Sequence, residues 1–217
     1  MVLHGAAERF RDLTLDEFVG RLASSDPVPG GGSASAIAGA LGAALVSMVA
    51  ALSIGRPKYA AHEAVHRQAA AEGQRLAGRF LVLADQDAAA YGRFAAAMKL
   101  PRETDAERDE RTAALRAAAL EAAEVPLACV EACRDLVRAT ESLAGRSNVN
   151  AASDLAVAAH LGEAGAQGAA ANVRINMPSL GDEAVATTLG ERVDALLAEV
   201  KALADTTRHF VASGESR

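Results

Sequence analysis

Two aspartates stand two residues apart in the string Asp85-Gln86-Asp87-Ala88-Ala89-Ala90-Tyr91, and they are not equivalent. Set at a helical 100° per residue, Leu76, Phe80, Leu83, Tyr91, Phe94 and Met98 all project within roughly 40° of Asp87. That stripe holds most of the large apolar side chains of its segment, so a buried face with Asp87 in its middle is predicted. Asp85 points to nearly the opposite side, where solvent is predicted. A carboxylate among apolar side chains is costly unless it is paired, hydrogen-bonded or protonated. Desolvation raises its pKa, which suits a general acid or base working near neutral pH. The competing reading is a structural ion pair with an arginine of another helix.

Other polar clusters are weaker signals. Asn172 and Asn176 lie one helical turn apart and share a face with Gly165 and Gly168. Amides offer donors and acceptors, and glycines admit a ligand or a second backbone. The same pattern also fits two asparagines that bridge helices. Pro29-Gly30-Gly31-Gly32-Ser33 opens a helix, so its N–H groups could receive an anion. It lacks the Lys-Ser/Thr of a nucleotide loop and follows no strand, which argues against nucleotides. Ser153-Asp154 reads first as a helix N-cap with a favourable first-turn anion. His62-Glu63-Ala64-Val65-His66 matches the H-E-x-x-H zinc pattern. None of His4, His160 or His209 makes a convincing third ligand, so solvated histidines and no metal are predicted. Cys129 and Cys133 read as small buried side chains.

The elements that position these residues are helices. Alanine supplies 54 of the 217 residues, while aromatic residues make up only 3%. Alanine is the strongest helix former, and runs suited to strands are absent. The fold class is all-α, a single-domain bundle of about six helices with two long antiparallel ones. A capping box, Thr14 with Glu17, opens a first helix to about Ser24. Ser33 or Ser35 caps a second, to about Ile54, on which Ser35, Gly39 and Ala43 form a small-residue seam. Gly55-Arg56-Pro57 breaks the chain. A long helix follows from about Ala60 to Met98. The fourth begins at Thr104–Arg111, is kinked or divided by Pro126, and ends near Gly145. Arg146–Asn150 is a loop, a fifth helix runs from about Ser153 into Asn176, and the last spans Glu183 to Val211.

Charge and composition narrow the function. A net charge of −6 with no basic face argues against nucleic acid. From Pro27 to Gly55 there is no charge, long enough to span a bilayer. Its Ala, Gly and Ser gain little in lipid, so a helix buried on all sides is predicted instead. With few bulky side chains per helix, added burial at a subunit interface predicts a homo-oligomer. Two cysteines and charges at Arg9, Arg11, Asp12 and Asp16 predict a cytoplasmic protein with no signal peptide.

The motifs together resemble a known family. Pro-Gly-Gly-Gly-Ser-Ala-Ser-Ala (29–36), Gly-Ala-Leu-Gly-Ala-Ala-Leu-Val-Ser-Met-Val (39–49) and Ile-Gly-Arg-Pro-Lys-Tyr (54–59) are similar to the opening of the cyclodeaminase domain of formiminotransferase-cyclodeaminase. Asp85-Gln-Asp87, Lys99-Leu-Pro101, Glu110-Arg-Thr-Ala-Ala-Leu115, Val125-Pro-Leu127, Ser153-Asp-Leu155 and Asn172-Val-Arg-Ile-Asn176 follow in the family's order from about residue 12 to 212. Ser147-Asn148 replaces the usual Gly-Asn pair, and Lys58 falls at a variable position.

The resemblance implies an all-helical homodimer acting on tetrahydrofolate derivatives, with no cofactor beyond that substrate. Members either close 5-formimidoyltetrahydrofolate to the 5,10-methenyl form with loss of ammonia, or hydrolyse the 5,10-methenyl form to 10-formyltetrahydrofolate. The family's catalytic aspartate falls on Asp87. Around the folate the resemblance places Gly30, Gly31, Gly32, Ser33, Tyr91, Ser153, Asp154, Asn172 and Asn176, with Arg56 and Lys58 for its glutamate carboxylates. No formiminotransferase part lies within these residues, which tilts the expectation toward the cyclohydrolase or a chain that does both. Two alternatives stay open: a non-catalytic scaffold of the same fold, and a metalloenzyme using His62 and His66.

Overall fold

A computed structural model describes residues 9–217. His4 lies outside the described residues. Six helices carry the fold: α1 (Leu15–Leu22), α2 (Gly31–Ala51), α3 (Glu63–Met98), α4 (Asp105–Leu143), α5 (Ala152–Asn176) and α6 (Glu183–Ser213). No strand occurs among the described residues. Capping boxes at Thr14/Glu17 and Thr104/Glu107 start α1 and α4, and Asp182 caps α6.

The long hairpin of α3 and α4 packs against the pair α2 and α5, and α6 covers α4 and α5. Leu76, Phe80, Val130, Leu136, Leu155 and Val173 fill the centre with essentially no exposure. Small residues set the spacing. A Cβ on Gly39 would lie 2.5 Å from Cε1 of Phe80, so the phenyl ring rests on bare α2 backbone. Gly165 and Gly168 likewise face Ser35 across the α2–α5 contact.

Several boundaries differ from the sequence expectation. Helix α2 begins at Gly31 with Gly30 as its cap, because neither serine is free to cap it. The Ser35 hydroxyl donates to the Gly31 carbonyl, and Ser33 is engaged elsewhere. A 3-10 turn over Pro57–His62 delays α3 to Glu63. Ser153 is not the cap of α5; a turn over Val149–Ala151 precedes it and Ala151 takes that place.

Pro126 neither divides nor ends α4. Proline has no N–H to give the carbonyl four residues back, here that of Ala122, which instead accepts a hydrogen bond from Asn176 Nδ2 at 2.8 Å. Nor is α2 covered on all sides. It is long and apolar enough to cross a membrane, half of that span is buried in the bundle, and Leu41, Ala44, Met48, Ala51 and Leu52 are exposed.

Gly39→Ala should lower stability by about 1–3 kcal/mol through overpacking against Phe80. Gly20→Ala, where a new Cβ meets nothing within 4 Å, should hold or raise it. Chemical denaturation of both variants checks the contrast; equal effects would contradict close packing at Gly39.

Candidate active site

Asp87 sits where the α3 stripe changes character. Leu76, Phe80 and Leu83 are buried, as the periodicity predicts. Beyond Asp87 the stripe leaves the core: Phe94 is half-buried, and Tyr91 and Met98 are largely exposed. Phe94 and Tyr91 instead form the wall of a cavity of about 360 Å³, with Asp87 in its lining. Asp85 is not simply solvated, since its Oδ1 accepts the Phe10 N–H at 2.7 Å.

The carboxylate meets the first turn of α2. Its Oδ2 accepts the Ser33 hydroxyl at 2.8 Å, and the Ser33 N–H also donates to it. A Cβ on Gly32 would overlap the carboxylate itself, so only glycine allows this approach. The first-turn N–H groups of α2 have no intrahelical acceptor and carry the positive end of the helix dipole. No arginine or lysine pairs with Asp87 among the described residues, which sets aside the structural ion pair. Burial pushes the carboxyl above the ordinary aspartate range, and the two Ser33 bonds pull it part of the way back.

The rest of the lining is uncharged. It comprises Pro27, Val28, Gly30, Gly31 and Gly32 before and within α2, Ala90, Tyr91 and Phe94 from α3, Ala122 from α4, and Asn172, Ile175 and Asn176 from α5. Asn172 donates Nδ2 to the Gly168 carbonyl at 2.9 Å, and Asn176 donates Nδ2 to Ala122 and Asn172 carbonyls. Both N–H donors of the Asn176 amide and one of Asn172 are therefore engaged, and the Oδ1 atoms remain as acceptors. The asparagines bridge helices and line the cavity at once. Val28, Phe94, Ala122 and Ile175 were not singled out from sequence as site residues. A proline inside a helical pattern was the signal for Ala122.

Ser33 does not line the cavity, contrary to the expectation that it surrounds the substrate. It is fully buried behind Asp87, its hydroxyl shared between that carboxylate and the Ala84 carbonyl at 3.3 Å. Arg56, Lys58, Ser153 and Asp154 are not at this cavity in the protomer either. Asn148 donates its N–H to Ser53 Oγ at 2.8 Å, and the Val149 N–H donates to the Tyr59 hydroxyl at 3.2 Å. Those bonds tie the start of α5 to the end of α2, about 30 Å from Gly31 at 1.5 Å per helical residue. Lys58 borders a separate hollow there of about 290 Å³ with His62, Arg146 and Asn148.

The histidine pair also departs from expectation. His66 is fully buried, its Nε2 lying 2.9 Å from the Arg146 carbonyl, while His62 precedes α3 in the 3-10 turn. Among the described residues no group of three His, Cys, Asp or Glu side chains could hold a metal ion. Cys129 and Cys133 are free and buried.

Known proteins are similar to this chain in sequence and in fold. The formiminotransferase-cyclodeaminase family profile matches residues 14–195. Methenyltetrahydrofolate cyclohydrolase of Methylorubrum extorquens is 40% identical over 190 residues, covering 88% of this chain and 91% of that protein. Formimidoyltransferase-cyclodeaminase of Rattus norvegicus is 36% identical over 197 residues, covering 91% of this chain and 36% of the relative, so the chain spans about a third of that longer protein. The crystal structure of formiminotetrahydrofolate cyclodeaminase from Thermotoga maritima superposes with a TM-score of 0.85 at 28% identity, covering 94% of this chain and 98% of the other. The match runs through α1 to α5 and into α6, with the cavity residues inside it, and the chain belongs to the formiminotransferase-cyclodeaminase family.

Proposed function

We propose that this chain acts on the one-carbon unit between N5 and N10 of tetrahydrofolate, hydrolysing 5,10-methenyltetrahydrofolate to the 10-formyl form with Asp87 as general base and acid. One observation carries the reading: among the described residues Asp87 is the only charged group in a cavity otherwise lined by aromatic, aliphatic, amide and glycine surface. The methenyl substrate is a flat pterin fused to a ring with a delocalised N5–C–N10 cation. Phe94, Tyr91 and the glycine backbone of the lining offer flat surface for that plane, and the Oδ1 atoms of Asn172 and Asn176 suit pterin N–H donors. The single carboxylate is complementary to the cation.

Hydrolysis then needs little more. Asp87 in its ionised form takes a proton from water as the oxygen bonds to the methenyl carbon. The resulting tetrahedral carbon then breaks its bond to N5 as its hydroxyl becomes the formyl C=O: the Asp87 proton passes to the departing N5, and the hydroxyl proton is taken up by Asp87 and released to water. Ser33 acts through Asp87, holding the carboxyl in place and limiting the rise of its pKa. The high coverage of the Methylorubrum cyclohydrolase supports this reaction first. Similarity to the Thermotoga cyclodeaminase supports a second, in which N10 attacks the carbon of the protonated 5-formimidoyl group and Asp87 carries the N10 proton to its amino nitrogen, which departs as ammonia and leaves the N5–C–N10 cation.

Asp87→Asn should cut turnover by about 10²–10⁴, the usual contribution of a positioned acid or base. The readout is loss of methenyl absorbance; wild type indifferent to both folates, or a fully active variant, would contradict the reading. Ser33→Ala removes a donor to the carboxylate, so the acidic limb of the pH–rate profile should move to higher pH. A lowered rate with an unmoved limb would reduce Ser33 to packing.

Folding stability gives the same pKa a second readout. A carboxyl whose pKa is raised on folding contributes stability below its unfolded pKa and loses it as pH rises through the folded value. Wild type should therefore lose stability relative to Asp87→Asn as pH climbs from about 3.9 toward neutrality. Denaturation at stepped pH checks this, and a constant difference would contradict it.

A further inference from the structure

The Asp87 cavity suits a pterin and its one-carbon unit but offers no cation to the glutamate that a folate carries, since every other lining residue is uncharged. The arginines next in sequence to the lining are already paired, Arg93 with Glu121 and Arg174 with Asp194. Two helices set where the cavity ends. Helix α2 begins at Gly31 and α5 ends at Asn176, and both residues line it. Past that level α3 and α4 run on as a hairpin, α3 out to Met98 and α4 back from Asp105.

One edge of each hairpin helix continues the cavity wall. On α3 the stripe that holds Asp87, Tyr91 and Phe94 reaches Met98, which is 52% exposed. On α4, Ala118, Leu115 and Arg111 fall within roughly 40° of Ala122 at a helical 100° per residue. The two edges meet at Arg111, whose Nη2 donates to the Met98 carbonyl at 3.3 Å and lies 3.9 Å from the Met98 sulfur. The first contact is long for such a bond. The Arg111 Nε is buried and has no acceptor among the described residues. Nor is Arg111 in an ion pair with any of them, whereas Arg108, on the same helix, holds Asp105. A guanidinium keeps its charge and presents five N–H donors in a planar fork. Half-buried at the end of an apolar edge, with its donors poorly met, it suits an acceptor from outside the chain.

We propose that Arg111 binds a carboxylate of the folate's glutamate, with the p-aminobenzoyl ring lying along the α3 edge between Phe94 and Met98. The inference rests on the folate reading above and adds where the tail is held. Arg111 is about 16 Å from Ala122 along the α4 axis. Less the length of the arginine itself, that is a span the aminobenzoyl ring and one glutamate can cross. Phe94 offers the ring a face and Met98 a sulfur contact. The carboxylate receives two parallel N–H bonds from the fork, in place of the long one to the Met98 carbonyl. Arg111 holds the end of the substrate that does not react, so its loss falls on KM and spares kcat.

The test compares 5,10-methenyltetrahydrofolate with an analogue in which a neutral methyl amide replaces the glutamate. Wild type should show a KM about ten- to a hundredfold higher for the amide, as expected for lost charged hydrogen bonds. Arg111→Gln should raise KM for the folate to the level of the amide, leave KM for the amide unchanged, and largely keep kcat. If Arg111→Gln does not fold, Arg111→Lys, which keeps the charge without the fork, should raise KM for the folate alone. A variant that raises KM for both substrates alike would make Arg111 a brace for the hairpin. That result, a wild type that treats the two substrates equally, or a variant that keeps the wild-type preference overturns the proposal while the folate reading stands. Wild type inactive on both 5-formimidoyl- and 5,10-methenyltetrahydrofolate overturns the folate reading and the proposal with it.

Discussion

The Asp87 carboxylate lies directly on the bare Gly32 backbone in the first turn of α2, and much of the architecture follows from keeping it there. Gly32 must lack a Cβ for the approach, and Ser33 supplies hydrogen bonds that draw the carboxyl's pKa back down against the rise that burial causes. Helix α2 can lie this close to α3 only because Gly39 yields space to Phe80 and Gly73 yields it to the α2 backbone. The small-residue composition that makes each helix a poor filler of volume is what brings a helix N-terminus into contact with a carboxyl.

A second constraint works from the opposite wall. Proline at 126 would ordinarily weaken α4, since it leaves the Ala122 carbonyl without a partner. Asn176 takes that carbonyl, Asn172 takes the one at Gly168, and both amides are fixed with their oxygens as the remaining acceptors. The interruption in one helix thus orients a side chain on another. Cavity lining and helix packing share the same hydrogen bonds, so neither can be altered alone.

Much of this was legible in the residues themselves. Helix existence followed from alanine content and caps, and Asp87 stood out because a carboxylate in an apolar stripe must be accounted for. Periodicity could not show that the stripe leaves the core after Asp87, since Tyr91 and Phe94 carry the same pattern whether they face a neighbour or a cavity. Nor could it show that Ser33 stands behind the carboxylate, because that depends on how far α2 slides along α3. Arg56, Lys58, Ser153 and Asp154 belong to motifs that resemble the family as strongly as the cavity residues do. Position along a helix, which no motif encodes, separates them from Asp87 within one chain.

Asp87 is a carboxyl held partly out of water, balanced between burial and the Ser33 bonds. Carbon-13 NMR of carboxyl-labelled aspartate, with the Asp87 resonance assigned by its loss in Asp87→Asn, follows that group directly in the free protein. A titration midpoint clearly above the ordinary aspartate value of about 3.9 is predicted. A midpoint at or below that value would show that the carboxyl is as well solvated as any surface aspartate, and the account would fail at its base.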